Sequence, residues 1–253
     1  MAVIVIDPGH YGAYNPGVCP GYFEGNTMLV LAKYLGAALS GMGADVKYTR
    51  TTNEQNPSLA ERGGMAAGAD LFISLHSDAS DNASARGVTS YISVRQPETE
   101  PFATAIGEAT AAAMGNQFRG IIARPSETTP GQDYYGVLRS AVAAGAKNAL
   151  LLEQGFHTNM QDCAVLSDNA ALQRMAGAQA KVIAEQFGLT SGSGGSTPQV
   201  FGVQYTIQPG EYLYIISQKF GIPWQAIAAA NGIVSPYVVM PGQRIIIPMP
   251  TAR

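Results

Sequence analysis

Charge is scarce in this chain. Asp, Glu, Lys and Arg make up 13% of its 253 residues, against 46% hydrophobic. Disorder needs the opposite balance, so the composition points to a packed core. The formal net charge is −3, and no basic run interleaves with aromatics. The electrostatic footprint of a nucleic-acid binder is therefore missing, and no such partner is expected. Cysteine is nearly absent too. Cys19 and Cys163 are the only two, too few for a disulfide framework and outside the C-x-x-C spacing of a thiolate metal site. They read as reduced thiols. No stretch approaches the ~18 apolar residues of a membrane span, so no membrane partner is expected. Nor is there a basic n-region with a long apolar core, as an export signal requires. Instead Met1-Ala2 runs straight into Val3-Ile4-Val5-Ile6 and Asp7-Pro8-Gly9, which reads as a buried strand ended by a turn. The expectation is synthesis in the cytoplasm without a Sec-type signal.

Glycine and serine are not scarce, and they concentrate in one place. Thr190-Ser191-Gly192-Ser193-Gly194-Gly195-Ser196-Thr197-Pro198 has nothing to bury and reads as a flexible tether. It divides the chain into a body, residues 1–189, a linker, 190–202, and a tail, 203–253. Lys219, Arg244 and Arg253 oppose only Glu211 in the tail, whereas the body is net acidic.

Strand and helix patterns alternate along the body. Residues 3–6 precede a helical run, 26–39, in which Met28, Leu31, Leu35 and Leu39 recur at three-to-four spacing. Residues 46–49 read as a strand and 58–67 as a short helix opened by Ser58. Residues 71–75 form a buried-strand pattern ending at His76. Residues 88–94 are β-rich, and 101–114 form an Ala-rich helix. Leu150-Leu151-Leu152 reads as a short strand ending at Glu153, and 169–187 as a closing helix. Alternation of this kind predicts an α/β fold, a mostly parallel twisted sheet with helices on both faces. Ligand sites in such sheets gather beyond the carboxyl ends of the strands.

That rule selects His10, His76 and Glu153, with Glu24 near the same edge. The chain has three histidines, and two of them fall at strand ends. Two His and one carboxylate with an open fourth position make a common catalytic zinc sphere, and a second carboxylate can serve as general base. Each residue also has an inert reading. His10 could cap a turn, His76 could be a hydrogen-bonded core histidine, and Glu24 could be an exposed carboxylate favoured by a helix dipole. Glu153 is harder to dismiss, because an unpaired charge at the end of an apolar strand is costly. Spacing alone leaves both sets of readings open.

The flanking residues add to it. Val5-Ile6-Asp7-Pro8-Gly9-His10, Glu24-Gly25-Asn26, Tyr48-Thr49-Arg50, Leu59-Ala60-Glu61-Arg62 and the run from Ala69 to Ala79 follow in order. Gly87-Val88, Leu152-Glu153-Gln154-Gly155-Phe156-His157-Thr158-Asn159, Asp162 and Leu166 complete the series. These blocks resemble the zinc-dependent N-acetylmuramoyl-L-alanine amidases of the autolysin and phage-endolysin type, over nearly all of residues 1–188. The resemblance implies one zinc ion per chain held by His10, Glu24 and His76, and Glu153 as the catalytic carboxylate. It implies cleavage of the amide between N-acetylmuramic acid and L-alanine in peptidoglycan. Two positions depart from the family pattern. Ser77-Asp78 stand where a small residue and Asn are usual, and Asp78 is expected to orient His76. His157 stands at a usually apolar position; it could touch substrate or be a surface variant, and the second is expected. Substrate contacts are not assigned, although the irregular segment 119–136, with Arg124, Asp133, Tyr134 and Tyr135, is the candidate binding loop.

In the tail, Tyr205-Thr206-Ile207-Gln208-Pro209-Gly210-Glu211, Asn231-Gly232-Ile233 and Pro241-Gly242-Gln243-Arg244-Ile245-Ile246-Ile247-Pro248 resemble a LysM module. That resemblance implies a small βααβ domain binding the glycan of peptidoglycan. Glu211 and Tyr212 replace the more usual Asp and Thr. The expected whole is a monomeric lytic enzyme that reaches the wall after release through a holin or by cell lysis. The rivals are a metal-free glycosidase using Glu24 and Glu153, a zinc peptidase acting within the stem peptide, and a non-catalytic wall-binding protein.

Overall fold

The structure is a computed structural model describing residues 1–189, 202–208, 210–231, 233 and 237–248. The chain forms two compact units, Met1–Gly194 and Gly195–Arg253. Apart from Gly202, the linker expected at 190–202 lies outside the described residues.

The first unit is built on one sheet of β1 (Val3–Pro8), β2 (Asp45–Tyr48), β3 (Leu71–Asp78), β4 (Val88–Ile92), β5 (Phe118–Ala123) and β6 (Ala149–Phe156). The strand order is β2-β1-β3-β6-β4-β5. β2, β1, β3 and β6 run parallel, β4 is antiparallel to β6, and β5 is parallel to β4. The sheet is thus mostly parallel, as its apolar strand sequences imply. Around it lie α1 (Glu24–Gly41), α2 (Leu59–Gly64), α3 (Glu100–Met114), α4 (Gly136–Ala143), α5 (Met160–Leu166) and α6 (Asn169–Phe187).

Strand alternation sorts the apolar residues into two cores. Ile4, Ile6, Leu71, Ile73, Leu75, Leu150 and Leu152 face one side, against α1, α3 and α6. From α1 that core receives Met28, Leu31, Leu35 and Leu39, the stripe legible in the sequence. Val5, Phe72 and Leu151 face the other side, with Val137, Leu138 and Ala141 of α4. Phe72 is fully buried, so Phe72→Ala would cost about 3–5 kcal/mol. α2 starts with a capping box: Ser58 Oγ accepts from the Glu61 N–H, and the Glu61 carboxylate accepts from the Ser58 N–H at 2.8 Å.

Several elements run beyond their sequence patterns. α1 begins two residues earlier, at Glu24, and β3 and β6 carry through His76 and Glu153 to Asp78 and Phe156. The segment expected to be one irregular loop, 119–136, starts inside β5 and ends at the first residue of α4. β5 is an edge strand whose alternation is interrupted at Gly120 (φ +108°), which hides its period. α4 is only eight residues long, too short for a strong helical period.

The second unit pairs β7 (Gly202–Thr206) with β8 (Arg244–Pro248) in an antiparallel two-stranded sheet, with α7 (Leu213–Phe220) and α8 (Trp224–Ala230) between them. Ile207, Leu213, Ile216, Ile227, Ala228, Ile245 and Ile247 form its core. So small a core gains from polar staples. Asn231 ties α8 to β8, donating to Ile227 O at 2.7 Å and Ile246 O at 2.6 Å and accepting from the Ile246 N–H. Glu211 accepts the Tyr205 hydroxyl at 2.7 Å.

Candidate metal and catalytic site

The carboxyl edge of the parallel strands brings together the four residues singled out in the sequence. β1 ends in Asp7-Pro8, and the chain turns so that His10 adopts φ +50°, a left-handed conformation unusual for a non-glycine residue. Glu24 opens α1 and is 1% exposed. His76 lies within β3. The ligand atoms of His10, Glu24 and His76 all fall within 4.8 Å of one another. Glu24 bridges the histidines, its Oε1 at 2.9 Å from His76 Nδ1 and its Oε2 at 3.5 Å from His10 Nε2.

The cluster is held by polar contacts on every side. Asn15 Nδ2 donates to Glu24 Oε2 at 2.7 Å, and the Ser77 N–H donates to Glu24 Oε1 at 3.1 Å. Arg50 is buried beneath it. Its guanidinium donates to Pro8 O at 3.1 Å, Gly9 O at 3.0 Å, Gly25 O at 2.6 Å and Thr52 O at 3.2 Å. One side chain thereby fastens the turn that carries His10 to the helix start that carries Glu24. Gly9 must be glycine, because a Cβ there would lie 2.4 Å from the His76 ring. Deeper still, Asp7 accepts from Arg62 Nε and Nη2 at 2.8 and 2.6 Å and from Ser74 Oγ at 2.6 Å.

These surroundings set the protonation states. Burial works against the Glu24 carboxylate, but the His76 hydrogen bond and the charges of His76 and His10 outweigh it and hold the carboxyl at about 2. Burial lowers His10 below its ordinary 6.5, with Glu24 pulling the other way. A carboxylate and a neutral imidazole are the forms a cation needs. Two imidazoles and a buried carboxylate whose ligand atoms lie within 4.8 Å of one another fit a zinc ion.

Glu153 stands beside the cluster as the register partner of His76 across β3 and β6. Its Oε2 has no hydrogen-bond partner among the described residues. Burial, then the nearby Glu24 and Asp78 carboxylates, push its pKa well above the ordinary 4.5. A buried carboxyl left unpaired is what a general base or acid looks like before its substrate arrives. His10, His76 and Glu153 line one cleft of about 580 Å³, together with Tyr11, Tyr14 and Tyr135. Tyr14 stacks on the His10 ring at 4.9 Å.

Two expectations are corrected here. His157 is not a surface variant: it is 4% exposed, with Nδ1 at 3.0 Å from Ser77 O and 2.9 Å from Ser77 Oγ. A carbonyl only accepts, so Nδ1 carries the proton. The ring stacks on Tyr22, whose hydroxyl meets Ser77 Oγ at 2.7 Å. The position is as buried as an apolar residue would be, and its polarity is satisfied by Ser77, the chain's other departure from the family pattern. Nor does Asp78 orient His76. Asp78 Oδ1 accepts from the Ala79 N–H at 2.8 Å, while His76 Nδ1 faces Glu24. The β3–β6 register also shifts between His76 and Asp78. Asn15, Ser77 and the bracing role of Arg50 were not read from the sequence. Both cysteines are free thiols, the Cys19 N–H donating to Cys163 Sγ at 3.2 Å.

The class so defined is an α/β domain with a His-Glu-His cluster fit for a divalent cation and a carboxylate beside it. Residues 4–185 match the family model described as N-acetylmuramoyl-L-alanine amidase, and residues 205–248 match the LysM domain. The chain belongs to the N-acetylmuramoyl-L-alanine amidase family and carries a C-terminal LysM domain. It is similar to the probable cell wall amidase LytH of Staphylococcus epidermidis, 33% identical over 168 residues, 65% of this chain and 51% of that protein. It is 30% identical to N-acetylmuramoyl-L-alanine amidase LytC of Bacillus subtilis over 177 residues, 66% of this chain and 33% of the relative. The chain thus spans about half of the first relative's length and a third of the second's. The catalytic domain of CwlV, an N-acetylmuramoyl-L-alanine amidase from Bacillus (Paenibacillus) polymyxa var. colistinus, superposes with a TM-score of 0.65 at 25% identity, over 75% of this chain and 100% of that domain.

Proposed function

We propose that this chain is a zinc-dependent hydrolase of the amide between N-acetylmuramic acid and L-alanine in peptidoglycan, with a lytic role at the cell wall. The observation that carries the reading is the unpartnered Glu153 carboxylate in register with His76, beside three ligand atoms lying within 4.8 Å of one another. Family membership supplies the bond.

His10, Glu24 and His76 would hold the ion. Zinc in such a sphere acidifies water and polarises a carbonyl. Glu153 takes the proton from the attacking water as the tetrahedral carbon forms. Its raised affinity for protons favours that uptake, and it then returns the proton to the leaving alanine nitrogen. The LysM unit would hold the enzyme on glycan strands.

The test is zinc content, cell-wall turbidity and new alanine amino termini, compared between wild type and Glu153→Ala. Zinc near one per chain is expected, with alanine release abolished in the variant and by a chelator. Reducing sugar released without zinc would point to the paired-carboxylate glycosidase. Termini other than alanine would point to a peptidase, and binding without loss of turbidity to a wall-binding protein.

A further inference from the structure

Beyond Glu153 the sheet lies open on the face that carries the site. On that face Val5, Phe72 and Leu151 pack against α4. β4 and β5 are packed from the opposite face, where Val88 and Phe118 meet Phe102 and Ile106 of α3. On the site's face, Asp78, Thr89, Tyr91, Arg119 and Ile122 instead line a cavity of about 430 Å³. Ile122 is 42% exposed there, although strands of such sheets are ordinarily covered on both faces. This open stretch continues the reaction centre. Thr89 is the register partner of Glu153 on β6, and the Tyr91 ring meets Tyr135, which lines the catalytic cleft, at 4.8 Å.

Arg119 is placed by the backbone. The β4–β5 register slips between Val88 and Ser90, so that Arg119 and Gly120 share the place opposite Thr89. Its guanidinium lies 5.1 Å over the Phe156 ring, and Nη1 donates to Arg86 O at 3.2 Å. These two contacts hold the planar fork and leave most of its five donors for a ligand. Arg119 is the one cation lining this cavity among the described residues, and Asp78 disfavours an anion at its own end.

We infer that the stem peptide leaves the reaction centre across β4 and β5, and that Arg119 binds a carboxylate on the residue that follows the scissile alanine. The inference rests on the amidase reading above. In wall peptides that residue is a glutamyl unit joined through its side chain, so its α-carboxyl is present either as a carboxylate or as a carboxamide. A guanidinium accommodates a carboxylate through two parallel N–H···O bonds, whereas a carboxamide offers one acceptor and turns an NH₂ towards the cation. Arg119 is therefore a specificity-determining residue for the wall chemotype.

Two soluble muropeptides that differ only in this group test it, with kcat/KM read from new alanine amino termini produced by the zinc-loaded full chain. The wild type is expected to prefer the carboxylate form by about tenfold or more, the range of a charge-assisted hydrogen-bonded pair. Arg119→Ala and Arg119→Gln remove the preference, and Arg119→Lys retains part of it. A wild type that treats both forms alike overturns the inference. So does a preference that survives in the variants, or an equal fall for both substrates, which would make Arg119 a structural residue only. Absence of new alanine termini from either muropeptide overturns the amidase reading itself, and this inference with it.

Discussion

His76 and Glu153 are register partners on adjacent parallel strands, so one side chain expected to bind metal and one expected to move protons emerge side by side on the same face of the sheet. The two roles are nevertheless separable. Glu153→Gln keeps volume and burial but removes the base, and is expected to lower alanine release by about 10²–10⁴-fold, the usual worth of a positioned acid–base group. Bound zinc should remain near one per chain. His76→Ala should lose the metal as well as the activity. Metal analysis of both variants checks this, and a Glu153→Gln protein that loses its zinc would make Glu153 a ligand instead.

Arg50 braces the His10–Glu24–His76 cluster from below without touching it. Its guanidinium joins Pro8 O, Gly9 O and Gly25 O, so it fixes the backbone on which His10 and Glu24 stand. Arg50→Lys keeps the charge, but a single ammonium lacks the fork that reaches all these carbonyls. Loss of an outer contact of this kind costs about 10–100-fold in metal affinity. Competition with a chelator should show that loss even at temperatures where the metal-free protein remains folded. Unchanged zinc affinity beside a lowered melting temperature would reduce Arg50 to a stabilising residue.

Much of this site was legible because its residues sit where sequence patterns end. His10 follows a four-residue apolar strand, and His76 and Glu153 follow the apolar runs of β3 and β6. The α1 stripe was legible for the same reason, since four large residues at three-to-four spacing leave one reading. What escaped has short or interrupted patterns. β5 lies at an edge with a left-handed glycine inside it, and α4 spans two turns. Side-chain bonds such as Asn15 to Glu24 join residues nine apart through a turn, and no periodicity reports that. His157 was misjudged because polarity suggests exposure, while burial with a satisfied hydrogen bond is equally stable.

The Asp7–Arg62 pair should make the fold acid-sensitive. Burial opposes the Asp7 charge, but Arg62, with Ser74 and Thr49, outweighs it and holds the carboxyl below its ordinary 3.8. The native state therefore binds this proton less readily than the unfolded chain. Its stabilisation is complete above the unfolded value and is lost as pH falls through the lower native one. Asp7→Asn leaves the Arg62 guanidinium buried without its counter-charge and should cost about 3–5 kcal/mol at neutral pH. The difference in unfolding free energy between wild type and variant should shrink below pH 3.8. Denaturant melts at pH 7 and pH 3 read this directly, and a constant gap would assign the stability to packing.

The two units have separate cores, so their contributions to wall hydrolysis can be divided. A weak glycan-binding module adds nothing to the chemistry at Glu153, but it raises the concentration of enzyme at an insoluble substrate. A chain ending at Leu189 should therefore hydrolyse a soluble muropeptide with the kcat/KM of the full chain. On intact sacculi it should lose about tenfold or more, since linking binding sites commonly gains 10²–10⁴ in avidity. The loss should appear at low enzyme concentration and fade as the enzyme approaches saturation of the wall, because only local concentration has changed. Turbidity and alanine release measured across an enzyme dilution series separate the two regimes. Equal losses on soluble and insoluble substrates would mean that the LysM unit supports the catalytic fold rather than its delivery.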